Sequence, residues 1–383
     1  MRSRFTCMLG FTGVCVVVGM CLRSAAAQDD TPVVLAASQI GMSCTPREGG
    51  GVACGPASAP GAHPADPTFA HFAEAQQADG SWGPEGAEPS ARVGTTALVL
   101  WAFTNLGYSL PGPSKWPRGE HPFTDELQRA LRFLENAQQL APDDVDRGRF
   151  GARGPDLLAH TFATLAFVDL AGFTGDADLS ARANLALDHL VARQSSDGTW
   201  PDAGSANTSA WATYALVAAQ MRGLPAASTR DIARELARTA CRQQVDAALA
   251  DDASTEPVAL AALASLAVLS FVEPASRDEF SKSTLRAFAQ RVSRDVVEFG
   301  TPEARLWTWL ATRTLPGEAR DPGLASKLVS QAMKRPACLS PVTEPCEPGS
   351  FGGTLDGAAL TQVLLGSVLR YESAMGELEA GFP

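Results

Sequence analysis

The chain has 383 residues, 45% hydrophobic and 7% aromatic, and carries 31 Lys and Arg against 42 Asp and Glu for a net charge of −11. An acidic balance of this size excludes non-specific nucleic-acid binding and docking on anionic lipid, since both need basic patches. Beyond the first 27 residues no segment is apolar enough to span a membrane.

Residues 1–27 have the layout of a signal peptide: basic Arg2 and Arg4, an apolar run from Cys7 to Leu22, and Ala25-Ala26-Ala27 before Gln28. The run is short of the roughly 20 residues a spanning helix needs. Met20 before Cys21 lacks the small residue of a lipoprotein cleavage site. Cleavage near Ala27 predicts an exported protein, periplasmic or extracellular; a retained N-terminal anchor is the alternative. It removes three basic residues and no acid, which moves the charge from −11 to −14. Residues 28–63, rich in Ala, Gly, Pro and Ser without periodicity, read as a flexible N-terminal tail or linker.

Five cysteines follow the signal peptide: Cys44, Cys54, Cys241, Cys338 and Cys346. Cys44/Cys54 and Cys338/Cys346 each bracket a short Gly- or Pro-rich loop, and in an oxidising compartment such neighbours are disulfide candidates. Closing the second loop stabilises by roughly 2.5 kcal/mol on the chain-entropy model. Neither pair has C-x-x-C spacing or a nearby His, so no metal site is expected. No cofactor signature is present either, and Cys241 stands alone.

Residues 64–383 are expected to form one all-α domain. Ala and Leu dominate, and few Val, Ile or Thr runs alternate with period two. The periodicity predicts helices over 65–77, 92–107, 124–139, 155–172, 177–194, 207–222, 228–248, 255–272, 276–298, 302–313, 322–334 and 354–371. Start signals include Thr124 before Asp125-Glu126, Pro155, and Thr301 before Pro302-Glu303. The odd helices are more polar and the even ones nearly apolar all round, the pattern of an outer layer facing water around a buried inner layer.

Each outer helix ends on or near a glutamine: Gln76, Gln138, Gln194, Gln243, Gln290 and Gln331, at intervals of 62, 56, 49, 47 and 41 residues. Gln76 is followed by Gly80 and Trp82, and Gln194 by Gly198 and Trp200, at identical spacing. Gly148-Arg149-Phe150 and Gly349-Ser350-Phe351 look like the same ending with Phe in place of Trp. Six units with trimmed loops follow from this. Gly suits a left-handed turn, the amide can satisfy orphan backbone groups, and the aromatic ring covers the joint.

On these residues the chain resembles the squalene–hopene cyclase and protein prenyltransferase superfamily, whose hallmark is the QW repeat. It looks closest to the bacterial prenyltransferase and squalene oxidase repeat proteins, which have stretches similar to Val93–Leu98, His160–Ala166 and Thr208–Trp211. The resemblance covers about residues 64–371 and implies an (α/α)6 toroid of six inner and six outer helices. It specifies the scaffold rather than the chemistry.

The family's catalytic constellations are not found. The cyclases protonate an alkene with the middle Asp of D-x-D-D; here the nearest string, Asp143-Asp144-Val145-Asp146, has the wrong order and reads as a solvated acidic loop. Protein prenyltransferases hold zinc through Asp, Cys and His, whereas Cys241 lacks such partners and reads as a buried small side chain. Cys241 and Gln244 have the separation of a thioester pair without its glycines. His160 has Asp156 one turn before it and Thr164 one turn after, a pairing that suits either acid–base work or a satisfied core histidine. Gly-x-Ser-x-Gly and phosphate-loop strings are absent. Carbohydrate-active toroids need paired carboxylates and aromatic platforms; Glu256, Glu303 and Asp356 near inner-helix starts, with Trp211 and Trp307, are the candidates, although acids there also answer the helix dipole.

The sequence therefore points to an exported toroid that binds a small lipid or glycan, or a protein partner. The open alternative is an enzyme acting on an isoprenoid or a polysaccharide. Inner helices running in one direction converge their N-termini on one mouth. The candidate ligand-binding residues there are Asp156, His160, Trp211, Glu256, Glu303, Arg305, Trp307 and Asp356. Gln76, Gly80, Trp82, Gln194, Gly198 and Trp200 are expected to be structural.

Overall fold

The computed structural model describes residues 42–46, 52–56, 66–83, 86–105, 108, 123–151, 157–200, 208–225, 227–250, 264–265 and 302–312. The chain divides into two compact units, residues 1–66 with 369–383, and residues 67–368.

In the first unit, strands β1 (Met42–Pro46) and β2 (Val52–Pro56) pair antiparallel, with Cys44 directly opposite Cys54. Sequence reading expected a tail or linker here, with Cys44 and Cys54 as disulfide candidates, and no strands. Each strand has five residues and a proline at its end, too short for an alternation to stand out.

In the second unit the described elements are helices, joined by turns and accompanied by one isolated bridge between Gln138 and Phe150. The helices are α1 (Asp66–Ala75), α2 (Val93–Asn105), α3 (Thr124–Ala137), α4 (Leu157–Thr174), α5 (Ala177–Ala192), α6 (Thr208–Met221), α7 (Ser228–Ala250) and α8 (Pro302–Thr312). Each lies within two residues of a predicted span. A 3₁₀ turn, Pro89–Arg92, leads into α2. Ala264 and Ser265, inside the predicted 255–272 helix, are also helical. The predicted helices 276–298, 322–334 and 354–371 lie outside the described residues.

Two layers result. α2, α4 and α6 pack side by side, while α3, α5 and α7 pack respectively on α2, α4 and α6. The outer helix α3 buries one stripe, Leu127, Ala130, Phe133 and Leu134. The inner helices are apolar all round because neighbours cover them on several sides. The sequence reading found no segment beyond residue 27 apolar enough to span a membrane, but α4 is one described helix long and apolar enough to do so, and 72% of it is buried inside the fold. α3 begins at Thr124 after the N-cap position Phe123, which makes no side-chain cap bond, whereas Asp176 caps α5 by accepting from the Asp178 and Leu179 N–H groups.

Three joints between outer and inner helices share one set of bonds. The Gln76 amide donates to the carbonyls of Gly80 at 3.0 Å and Glu126 at 2.8 Å. Gln138 donates likewise to Gly148 and Arg182, and Gln194 to Gly198 and Ala233. Every amide thus closes its own turn and ties it to the next outer helix. The glycines have φ of +88° at Gly80, +90° at Gly148 and +86° at Gly198. A Cβ there would run into the carbonyl oxygens of Arg129, Leu185 and Leu236, each three residues beyond the carbonyl that the amide holds. Only glycine fits. The following ring is buried in all three cases, as Trp82, Phe150 and Trp200. Its backbone N–H is taken up by the next inner helix, through Thr96 Oγ1 at 2.9 Å, His160 Nδ1 at 3.1 Å and Ser209 Oγ at 2.8 Å. Both indoles reach back to their outer helix, Trp82 to the Phe72 carbonyl and Trp200 to that of Leu190.

Candidate functional site

Of the eight candidate residues, the structure brings Trp211, Glu303 and Trp307 together. Pro302 opens α8, where its missing N–H costs nothing, and puts Glu303 in the first turn. Trp211, in the first turn of α6, donates its indole N–H to Glu303 Oε1 at 2.8 Å, both groups buried. The Trp211 and Trp307 rings lie 4.3 Å apart between centroids. Phe162 of α4 meets Trp211 at 5.1 Å and Trp101 of α2 meets it edge-on at 6.0 Å. Tyr214, partly exposed, stands 6.1–6.4 Å from the rings of Trp101, Trp211 and Trp307. The Trp307 Nε1 is buried with no hydrogen-bond acceptor. Arg305 is buried on α8. Asp156, Glu256 and Asp356 lie outside the described residues, as do Cys338 and Cys346.

Sequence reasoning missed Trp101, Phe162 and Tyr214. Their partners are scores of residues away, and no local pattern marks a ring that packs on another helix. It also missed the anchor beneath them. Trp101 Nε1 donates to Asp169 Oδ2, and Arg222 Nε pairs with Asp169 Oδ1, each at 2.6 Å. The Arg222 guanidinium also lies over the Phe173 ring, 4.2 Å from its centre.

His160 is built into the second joint. Its Nδ1 accepts from Phe150, so Nε2 carries the proton and donates to the Ala186 carbonyl at 3.2 Å. Burial, then the neighbouring His189 and Arg149, holds its pKa well below the usual histidine value. A neutral ring with both nitrogens engaged does the work of Thr96 and Ser209 in the other joints. His189 packs edge-on against it at 4.9 Å. Burial and Arg149 push His189 down to about 4, Asp146 opposing, and its Nε2 has no hydrogen-bond partner.

The acidic loop is solvated only in part. Asp143 is exposed, but Asp146 is buried beside Arg149, 3.9 Å away, because the loop turns into the joint that Gly148 closes. Cys241 is a free, buried thiol, its pKa raised to about 11 by burial against the pull of the Ser265 and Thr213 hydroxyls. Gln244 is held by Ser265, whose hydroxyl donates to Gln244 Oε1 at 2.6 Å. Among the described residues no three His, Cys, Asp or Glu side chains group as metal ligands.

Chemically, the centre offers ring faces, a carboxylate held by an indole, and one indole N–H without an acceptor. Comparison with protein-family models, with curated proteins and with solved structures finds no match.

Proposed function

We propose that the chain is an exported (α/α)6 toroid, similar to the squalene–hopene cyclase and prenyltransferase repeat proteins, and that it binds a small apolar ligand at the inner-helix mouth. One observation carries the reading: rings from four inner helices far apart in sequence, Trp101, Phe162, Trp211 and Trp307, meet at one centre. Helices of an open stack touch only their neighbours in sequence, so convergence of α2, α4, α6 and α8 is what a ring closing on itself would produce. The recurrence of the same bonds at three successive joints supports the repeat.

The centre at that depth is filled by side chains, so the ligand's contact surface is the accessible edge around Tyr214. An aromatic floor suits a molecule with an apolar body. The test is a fluorescence titration of the secreted protein with farnesol, a cello-oligosaccharide and an extended peptide. Farnesol should quench the indole emission, and Tyr214→Ala should weaken that binding about tenfold, the equivalent of 1.4 kcal/mol. Farnesol binding that Tyr214→Ala leaves intact, or no farnesol binding at all, refutes the proposal; binding of the saccharide or peptide alone redirects it to that class.

A further inference from the structure

The hairpin of the first unit carries an inference independent of the proposed ligand site. Its register pairs Met42 with Pro56, Ser43 with Gly55, Cys44 with Cys54, Thr45 with Ala53 and Pro46 with Val52. In an antiparallel ladder, pairs that exchange both N–H···O bonds alternate with pairs that exchange none. Pro46 and Pro56 have no N–H and cannot sit in an exchanging pair. The pairs Met42–Pro56 and Pro46–Val52 are therefore of the non-exchanging kind. Cys44–Cys54, two places from each, must be the same kind, which leaves Ser43–Gly55 and Thr45–Ala53 to make the bonds.

The non-exchanging pair is where strands come closest, about 4.5 Å between Cα atoms, inside the usual disulfide span of about 4.4–6.8 Å. Among the described residues two pairs donate in this ladder, and a two-stranded hairpin without further support is marginal in water. We propose that Cys44 and Cys54 form a cross-strand disulfide and that the hairpin depends on it, which makes the segment redox-sensitive. The oxidant is an external disulfide. The thiolate of one cysteine attacks it, forms a mixed disulfide and releases one thiol. The second cysteine's thiolate then displaces the other half. Two protein thiols are oxidised, the external disulfide is reduced to two thiols, and these take up the two protons.

Trypsin can test the bond directly, because Arg47 is the one basic residue between the cysteines and the flanking cut sites are Arg23 and Arg92. Full-length chain exposed to oxidised glutathione, alkylated and digested without reductant, should yield the peptide ending at Arg47 linked to the peptide 48–92. Reduction should separate them. Two separately alkylated peptides, or either one linked to Cys241, Cys338 or Cys346, overturn the pairing. Residue-resolved hydrogen exchange tests the rest. In the oxidised chain the amides of Ser43, Thr45, Ala53 and Gly55 should exchange at least tenfold more slowly than those of Cys44 and Cys54. That protection should vanish on reduction and in Cys44→Ser. Slow exchange at Cys44 and Cys54 instead would refute the register; protection surviving reduction would refute the dependence on the bond.

Discussion

At Gly198 the backbone stands at φ +86° and any Cβ would meet the Leu236 carbonyl. Gly198→Ala therefore combines left-handed strain with a clash that backbone must absorb. It should cost about 2–3 kcal/mol, measured as a fall in the unfolding midpoint, whereas Gly175→Ala, equally left-handed but with nothing within 4 Å, should cost about 1 kcal/mol. The histidines give a pH signature. His160 and His189 both have folded pKa values below the ordinary 6.5, His189 at about 4. The unfolded chain thus binds more protons than the folded one across that window. Their contribution is fully present above pH 6.5 and is lost as pH falls towards 4. His189→Gln should flatten the dependence of thermal stability on pH over this range. An unchanged slope would show that His189 does not contribute to it.

The joint between helices was legible because its parts are local. Gln, Gly and the aromatic ring fall within seven residues at Gln76–Trp82 and Gln194–Trp200, and they carry their chemistry in their types. Trp200→Ala removes a 2%-exposed ring and the indole bond to Leu190. It should lower stability by about 3 kcal/mol, read from chemical denaturation with an unchanged slope. What joins one inner helix to the next was not legible. Asp169 lies in the apolar run of α4, and nothing nearby in sequence marks Trp101 and Arg222 as its partners. Asp169→Ala leaves a buried indole N–H and a guanidinium without their carboxylate. It should cost about 2–3 kcal/mol, more than Arg222→Ala, whose side chain is about a third exposed. Equal losses in the two variants would mean that the indole bond contributes little.

Over the whole molecule, the packing of α6, α7 and Ser265 around Cys241 makes that thiol a probe of global opening. With its pKa raised to about 11 and its surface covered, Cys241 should resist alkylation in the native protein and react at the rate of the denatured chain once denaturant opens the unit. Native-state labelling at a rate independent of denaturant would reveal a local opening instead.

The sequence by itself determined the helical class, the spans of eight described helices to within two residues, the alternation of polar and apolar helices, and the turn chemistry of the joints. These are set by interactions among residues a few positions apart: period, glycine backbone freedom, the amide and the ring. Only the tertiary structure decided which candidate side chains share a site. It placed His160 inside a joint and Trp211 against Glu303, 92 residues away. It buried Asp146 and drew the segments around Cys44 and Cys54 into a ladder of two five-residue strands. The physical reason is that an apolar-all-round helix does not encode which neighbour covers which face. Packing chooses the faces, and packing is a property of the assembled chain.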